Sequence, residues 1–438
     1  MRASVLQLVL LSDIAVLAQS VKISDRLGEA RYTSLNKVHE DVKTRLRIPK
    51  AEAAGYRVFQ QEAIPFADPR KDEVAAHNIP LFATTGVSPS ASYIRLLLKD
   101  EKGNGTLALR NVQDAAHVAP IEIGGQSFLG LLDTGSSDTW VAGSNFNCKR
   151  SRKPCKFPAT YTKTNRREVV TFGGITIPNA KIGIVHEGEF SVDEASSGII
   201  GLAFPGDTRA YALETNVYGD ENAQSIPYAP LFTIMYQQGL LAPDFSVAMQ
   251  RRNETNGVLA LGGLPGLPIK YDSNFTTARF EYLIFDDGSY TRPGNKIKEY
   301  SLYMIKTTGF HIQKNSSKLA VNTIFDTGSP INYVPPQIAE DVARGFVPPA
   351  IRDQQTWQFV VDCNAVPPSF GVNINGTTLI VDPEDMVLKG ATRMGDAGAL
   401  PVVTGKNKCL SAVQESNIFS LGVHITGSAV YEKCGYSF

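Results

Sequence analysis

Metal-ligand spacing is what this chain most clearly lacks. Its 438 residues hold only six histidines and five cysteines. No C-x-x-C pair and no closely spaced His pair occurs among them, which argues against a zinc site, structural or catalytic. Net charge is also missing: 43 Lys and Arg face 43 Asp and Glu. Without a basic excess there is no footprint for nucleic acid as a partner. Beyond the first twenty residues no apolar run approaches the length of a bilayer span. The C-terminal Cys434-Gly435-Tyr436-Ser437-Phe438 has no hydrophobic tail of the lipid-anchor kind. G-x-S-x-G, H-E-x-x-H and a phosphate-binding glycine loop do not occur, so serine-nucleophile, zinc and nucleotide chemistries lack their usual residues. No cofactor is expected.

What is present is a carboxylate turn that occurs twice. Residues 128–141, FLGLLDTGSSDTWV, are an apolar strand that stops at Asp133 and turns sharply through Thr134 and Gly135. A strand entering a tight Gly-containing turn holds the acid at its tip in a fixed place. One Asp-Thr-Gly also fits an ordinary hairpin end. The second copy removes that ambiguity. Residues 323–334, TIFDTGSPINYV, repeat the apolar strand, Asp326, Thr327, Gly328 and Ser329, with Tyr333 seven positions past the acid as Trp140 is past Asp133. Two equivalent turns imply an internally duplicated chain whose halves pair their acids across a pseudo-twofold axis.

These motifs resemble the pepsin-like aspartic endopeptidases, and most closely their secreted fungal members. Ser197-Gly198-Ile199-Ile200-Gly201-Leu202 is similar to the family's hydrophobic-hydrophobic-Gly element, and the resemblance runs from about Val118 to the C-terminus. It implies an all-β, bilobal fold with a central cleft and few short helices. It also implies that Asp133 and Asp326 are catalytic, sharing a proton so that one is acid and the other base. Thr134 and Thr327 would cross-link the turns, and Gly135 and Gly328 would let backbone N–H groups approach the carboxylates. Ser136 and Ser329 would hydrogen-bond the outer carboxylate oxygens. Trp140 and Tyr161 would line the substrate pockets, with a plain core role as the alternative for Trp140. Cys148–Cys155 and Cys363–Cys409 have spacings like the family's disulfides, leaving Cys434 over.

Two departures stand against that pattern. The family carries a hairpin flap with a Tyr-Gly tip that closes over substrate, whereas residues 157–168, FPATYTKTNRRE, contain only Tyr161 and no Tyr-Gly. Near the C-terminus, residues 419–423, FSLGV, stand where two hydrophobics, Gly and Asp are expected.

The chain divides into a signal peptide (1–20), a prosegment (21–105), an N-terminal β lobe (106–268) and a C-terminal β lobe (269–438). The signal rests on Arg2, the apolar stretches 5–11 and 14–18, and small residues around Ala18-Gln19-Ser20, although Ser12 and Asp13 interrupt it. Residues 21–105 hold 14 Lys and Arg against 11 Asp and Glu, and residues 106–438 hold 28 against 31. A basic leader can therefore dock on an acidic body as an intramolecular inhibitor, or it is simply a flexible extension. Sequons at Asn104, Asn253, Asn274, Asn315 and Asn375 fit a secretory route. Two readings follow. One is a secreted or vacuolar zymogen of a monomeric acid endopeptidase acting on peptides and proteins, with no membrane span after signal removal. The other is a catalytically impaired protein of the same fold that binds peptides or another protein.

Overall fold

A computed structural model of the chain describes residues 77–80, 110–112, 116–148, 159–163, 167–188, 196–208, 228–249, 258–264, 278–284, 300–354, 356–388, 407–416, 423–427 and 436–437, with positions 157 and 276. The first half begins with a hairpin, β1 (Ala116–Ile123) and β2 (Gln126–Asp133), paired antiparallel so that Ile123 faces Gln126. Gly124 (φ 57°) and Gly125 (φ 77°) make the two-residue turn, in the left-handed conformation that such hairpins require. The last six residues of β2 are all buried. That explains why the sequence there is a continuous apolar run rather than an alternation.

β3 (Trp140–Cys148), β4 (Arg167–Phe172), β5 (Ile175–Lys181), β6 (Gly183–Gly188) and β7 (Gly198–Gly201) continue this sheet, and the short strand Arg110–Val112, paired on β1, completes its eight strands. β7 is threaded between the two strands that flank the first turn. It runs parallel to β2, with Asp133 opposite Gly201, and antiparallel to β3, with Trp140 opposite Ile199. Glycine is required at 201, because a Cβ there would stand 2.5 Å from the Ser137 carbonyl carbon.

The second half repeats the device. β8 (Met304–Lys306), β9 (Asn322–Phe325), β10 (Asn332–Val334), β11 (Val413–Glu415) and β12 (Val423–Thr426) form a five-stranded sheet in the order β8-β9-β12-β10-β11. β12 runs parallel to β9, with Phe325 opposite Thr426, and meets β10 at Tyr333 opposite Ile425. The register therefore equates Ile425-Thr426-Gly427 with Ile199-Ile200-Gly201. The element expected at residues 419–423 lies instead two residues past Val423; residues 417–422 are outside the described set. Gly427 is packed as Gly201 is, with its Cβ position 2.5 Å from the Ile331 carbonyl oxygen.

Two α-helices occur among the described residues, α1 (Leu231–Gln237) and α2 (Pro336–Gly345), the second opened by Pro335-Pro336. The architecture is all-β and bilobal. One further sheet joins distant parts of the chain. His77–Pro80, Val258–Leu261, Phe245–Ala248 and Tyr436–Ser437 lie side by side in that order. Between the halves, Phe204 packs on Tyr303 (ring centroids 4.6 Å apart), Tyr300 and Phe280. Aromatic burial of this kind holds the lobes in one register.

Candidate active site

Each acid sits at the end of a buried strand, so its turn is held by two neighbours in the sheet before any side chain contributes. The side chains then tie the turns to each other. Thr134 Oγ1 donates to the Phe325 carbonyl at 2.8 Å and accepts from the Thr327 N–H at 2.9 Å. Reciprocally, Thr327 Oγ1 donates to the Leu132 carbonyl at 2.9 Å and accepts from the Thr134 N–H at 3.0 Å. Both threonines are 0% exposed. Four buried hydrogen bonds thus join segments 193 residues apart in sequence, in surroundings where leaving any one unmade is costly.

The cross-link brings the carboxyl groups of Asp133 and Asp326 into hydrogen-bond contact, each 2% exposed. Gly135 donates its N–H to Asp133 Oδ1 and Gly328 donates to Asp326 Oδ1, both at 2.8 Å. Glycine is needed for a second reason. A Cβ at 135 would lie 2.5 Å from Asp326 Oδ1, and one at 328 would lie 2.6 Å from Asp133 Oδ1. Each turn leaves room for the other's acid.

The two acids are not equivalent. Burial raises both above the usual carboxylate range, and the Asp133 charge pushes Asp326 higher still. Asp133 is held lower by the Ser136 hydroxyl, which donates to its Oδ2 at 2.5 Å, by the Asp326 carboxyl and by the Gly135 N–H. Ser329 breaks the expected symmetry. Its hydroxyl turns away from Asp326, donates to the Ile331 carbonyl at 3.0 Å and accepts the Ile331 N–H at 3.3 Å. The hydroxyl thus satisfies its own loop, as the Ser411 hydroxyl does with Val413. This arrangement favours an ionised Asp133 beside a protonated Asp326.

Other expected site residues fall elsewhere. Tyr161 is not at the cleft; it is 1% exposed, 6.2 Å from the Phe128 ring, with its hydroxyl donated to Glu168 beneath Gly124. The buried carboxylate satisfies the phenol, which lets a tyrosine sit in the core. Gln126 and Asp133 stand at opposite ends of β2, roughly 20 Å apart at strand rise, so Tyr161 is far from the acids. Trp140 is buried as well, which favours its core role. Thr162 and Lys163 lie against Gln126 and Gly124 rather than over the turns. Cys363, just past the strand Phe359–Asp362, forms a disulfide with Cys409 on the strand paired to it. Cys155 and Cys434 lie outside the described residues.

Several residues that hold the site were not singled out in the sequence. Thr139 and Asn332 each stand six positions past an acid, and each accepts an N–H from the threaded strand's glycine: Gly201 to Thr139 Oγ1 (3.3 Å) and Gly427 to Asn332 Oδ1 (3.0 Å). Their shared offset was the available signal. Ser137 Oγ donates to the Phe204 carbonyl at 2.5 Å and Tyr303 donates its hydroxyl to the Leu202 carbonyl at 2.7 Å. Neither pairing leaves a trace in sequence spacing.

Comparison with known proteins agrees with this geometry. The pattern of the eukaryotic aspartyl proteases matches residues 116–166 and 164–418. A probable aspartic-type endopeptidase of Aspergillus fumigatus is 32% identical over 345 residues, covering 70% of this chain and 72% of the relative. An acid protease of Saccharomycopsis fibuligera is 22% identical over 77% of this chain and 82% of its own length. Pepsin A of Rhinolophus ferrumequinum is 24% identical over 79% and 88%. With two buried acids on cross-linked turns and these matches along most of its length, the chain belongs to the eukaryotic aspartyl protease family.

Proposed function

We propose that the protein is an acid endopeptidase in which Asp133 and Asp326 act as one unit. The observation that carries this reading is the contact between the two carboxyl groups, held by the reciprocal Thr134 and Thr327 hydrogen bonds. A water between them loses a proton to ionised Asp133 as it attacks the scissile carbonyl carbon. Protonated Asp326 meanwhile hydrogen-bonds the carbonyl oxygen and passes its proton to it. A neutral tetrahedral diol results; Asp133 then gives its proton to the amide nitrogen, a diol hydroxyl returns a proton to Asp326, and the C–N bond breaks to release the amine. No covalent enzyme intermediate is involved. Because Asp133 must be ionised and Asp326 protonated, turnover is confined to an acidic window.

The chain is made as a secreted zymogen, with vacuolar delivery as the other destination, and residues 21–105 cover the cleft near neutral pH. Strand His77–Pro80 supports this: it lies inside that segment and docks on the body, antiparallel to Val258–Leu261. On acidification the carboxylates that pair with its Lys and Arg take up protons and the segment loosens. A specific observation also favours the impaired, peptide-binding reading. The described part of residues 157–168 packs on the β1–β2 hairpin instead of covering the acids.

One experiment separates the two. Purified chain is incubated at low pH and assayed on a denatured protein, with and without pepstatin, alongside Asp326→Asn. Pepstatin-sensitive cleavage lost in the variant, with a new N-terminus between Arg70 and Val118, is expected. Pepstatin binding without cleavage assigns the peptide-binding role. Full acid activity without processing overturns the zymogen.

A further inference from the structure

The second half contains a four-stranded sheet in the order Asn315–Ser317, Gly309–Ile312, Phe370–Ile374, Thr377–Ile380. Among the described residues its two outer strands each have a neighbour on one side only. Both edges begin with a sequon. Asn315-Ser316-Ser317 opens one outer strand, directly after the turn at Gln313 (φ 55°) that sets Ile312 opposite Asn315. Asn375-Gly376-Thr377 leads into the other, through a turn with φ 47° and 88° that sets Ile374 opposite Thr377. Asn315 and Asn375 are both exposed. Because the sheet is antiparallel, the two turns lie at opposite ends of it: Ile312 stands beside Phe370, and Gly309 beside Asn373.

An open strand edge is a template for pairing with another chain, and proteins block such edges explicitly. The usual means are only partial here: the outer strands are short, three and four residues, and Lys314 and Lys318 flank one of them. The outer strands carry neither Pro nor Lys, and exposed apolar side chains sit beside them: Ile380 at 40% on one edge and Leu319 at 44% just past the other. An exposed asparagine at a hairpin turn accommodates a bulky polar substituent without disturbing the fold, so each sequon can carry a solubilising glycan. We propose that Asn315 and Asn375 carry N-linked glycans that shield both open edges of this sheet from pairing with other chains. In the attachment step Asn Nδ2 bonds to C1 of a lipid-pyrophosphate-linked oligosaccharide. The C1–O bond breaks, the amide nitrogen gives up one proton, and the lipid pyrophosphate leaves.

The inference rests on the secretory part of the proposed function, and the test removes that dependence. The full chain is expressed in a eukaryotic host behind the host's own signal peptide, then digested and treated with peptide-N-glycosidase in ¹⁸O-water. Conversion of Asn315 and Asn375 to ¹⁸O-labelled Asp in their peptides is expected. Either asparagine recovered wholly unmodified overturns its assignment. Edge protection has a separate readout in the double variant Asn315→Gln, Thr377→Val, which removes both sequons and leaves the left-handed Asn375 in place. It keeps wild-type kcat/KM but forms larger species on size exclusion as concentration rises. A double variant that stays monomeric over the same range overturns the shielding role while leaving the modification standing.

Discussion

Thr327→Val isolates the cross-link from the acids it supports. The side chains have nearly the same shape, so the change removes one hydroxyl from a site that is 0% exposed. That hydroxyl donates to the Leu132 carbonyl and accepts the Thr134 N–H. Both backbone groups are left in the interior with no replacement for this bond. An orphaned buried polar group costs about 1–3 kcal/mol, so the two together destabilise the junction of the halves by about 2–6 kcal/mol. The chemistry suffers separately, because the bond to Leu132 ends one residue before Asp133. A displacement of about 1 Å between the acids is enough to lower turnover by about 100-fold. Thr327→Ser keeps both hydrogen bonds and loses one methyl, about 1 kcal/mol. The assay is kcat on a fluorogenic peptide at acid pH, with thermal unfolding of the same samples. Expected is a severe loss of both quantities in Val and near wild-type kcat in Ser. A Val variant with wild-type kcat and unfolding temperature refutes the argument that these bonds set the geometry of the acids.

Asp133→Asn or Asp326→Asn alone abolishes nearly all turnover, since neither acid works without its partner, while circular dichroism shows the fold intact; substantial residual activity sinks the pairing. Ser136→Ala removes a hydrogen bond that favours ionised Asp133, so the acid limb of kcat/KM moves to higher pH, and an unmoved limb contradicts that role. His424, whose buried Nδ1 has no hydrogen-bond partner among the described residues, is pushed down to about 4 by burial. The unfolded chain binds this proton first, so stability falls between about pH 6.5 and 4 by up to about 3 kcal/mol and then levels off. Denaturation midpoints for His424→Gln are expected to be flatter across that window, and an unchanged slope refutes the assignment. Grafting a hairpin with a Tyr-Gly tip between Thr160 and Val169 raises kcat/KM if closure over substrate is what the native stretch lacks; no change, with the graft folded, sets that explanation aside.

The sequence by itself determined the two carboxylate turns, the duplication and the strand-rich character of both halves. These follow from local chemistry: an apolar run ending in Asp-Thr-Gly reads the same wherever it occurs, and Gly-Gly turns mark hairpins by their backbone freedom. The duplication led to the expectation that the turns meet, but the bonds that join them are made only in the folded chain. That meeting depends on Thr134 and Thr327 each spending a hydroxyl on the other half's backbone. Tertiary structure also decided between like residues. The Ser136 hydroxyl bonds its acid, whereas the Ser329 hydroxyl bonds Ile331 of its own loop. Tyr161, an obvious polar aromatic near the first turn in sequence, is drawn inward by Glu168 seven residues on. The threaded glycine of the second half was misplaced for the same reason. Gly422 and Gly427 look alike in the sequence, and only the pairing of Val423–Thr426 with Asn322–Phe325 shows which one packs behind the acid.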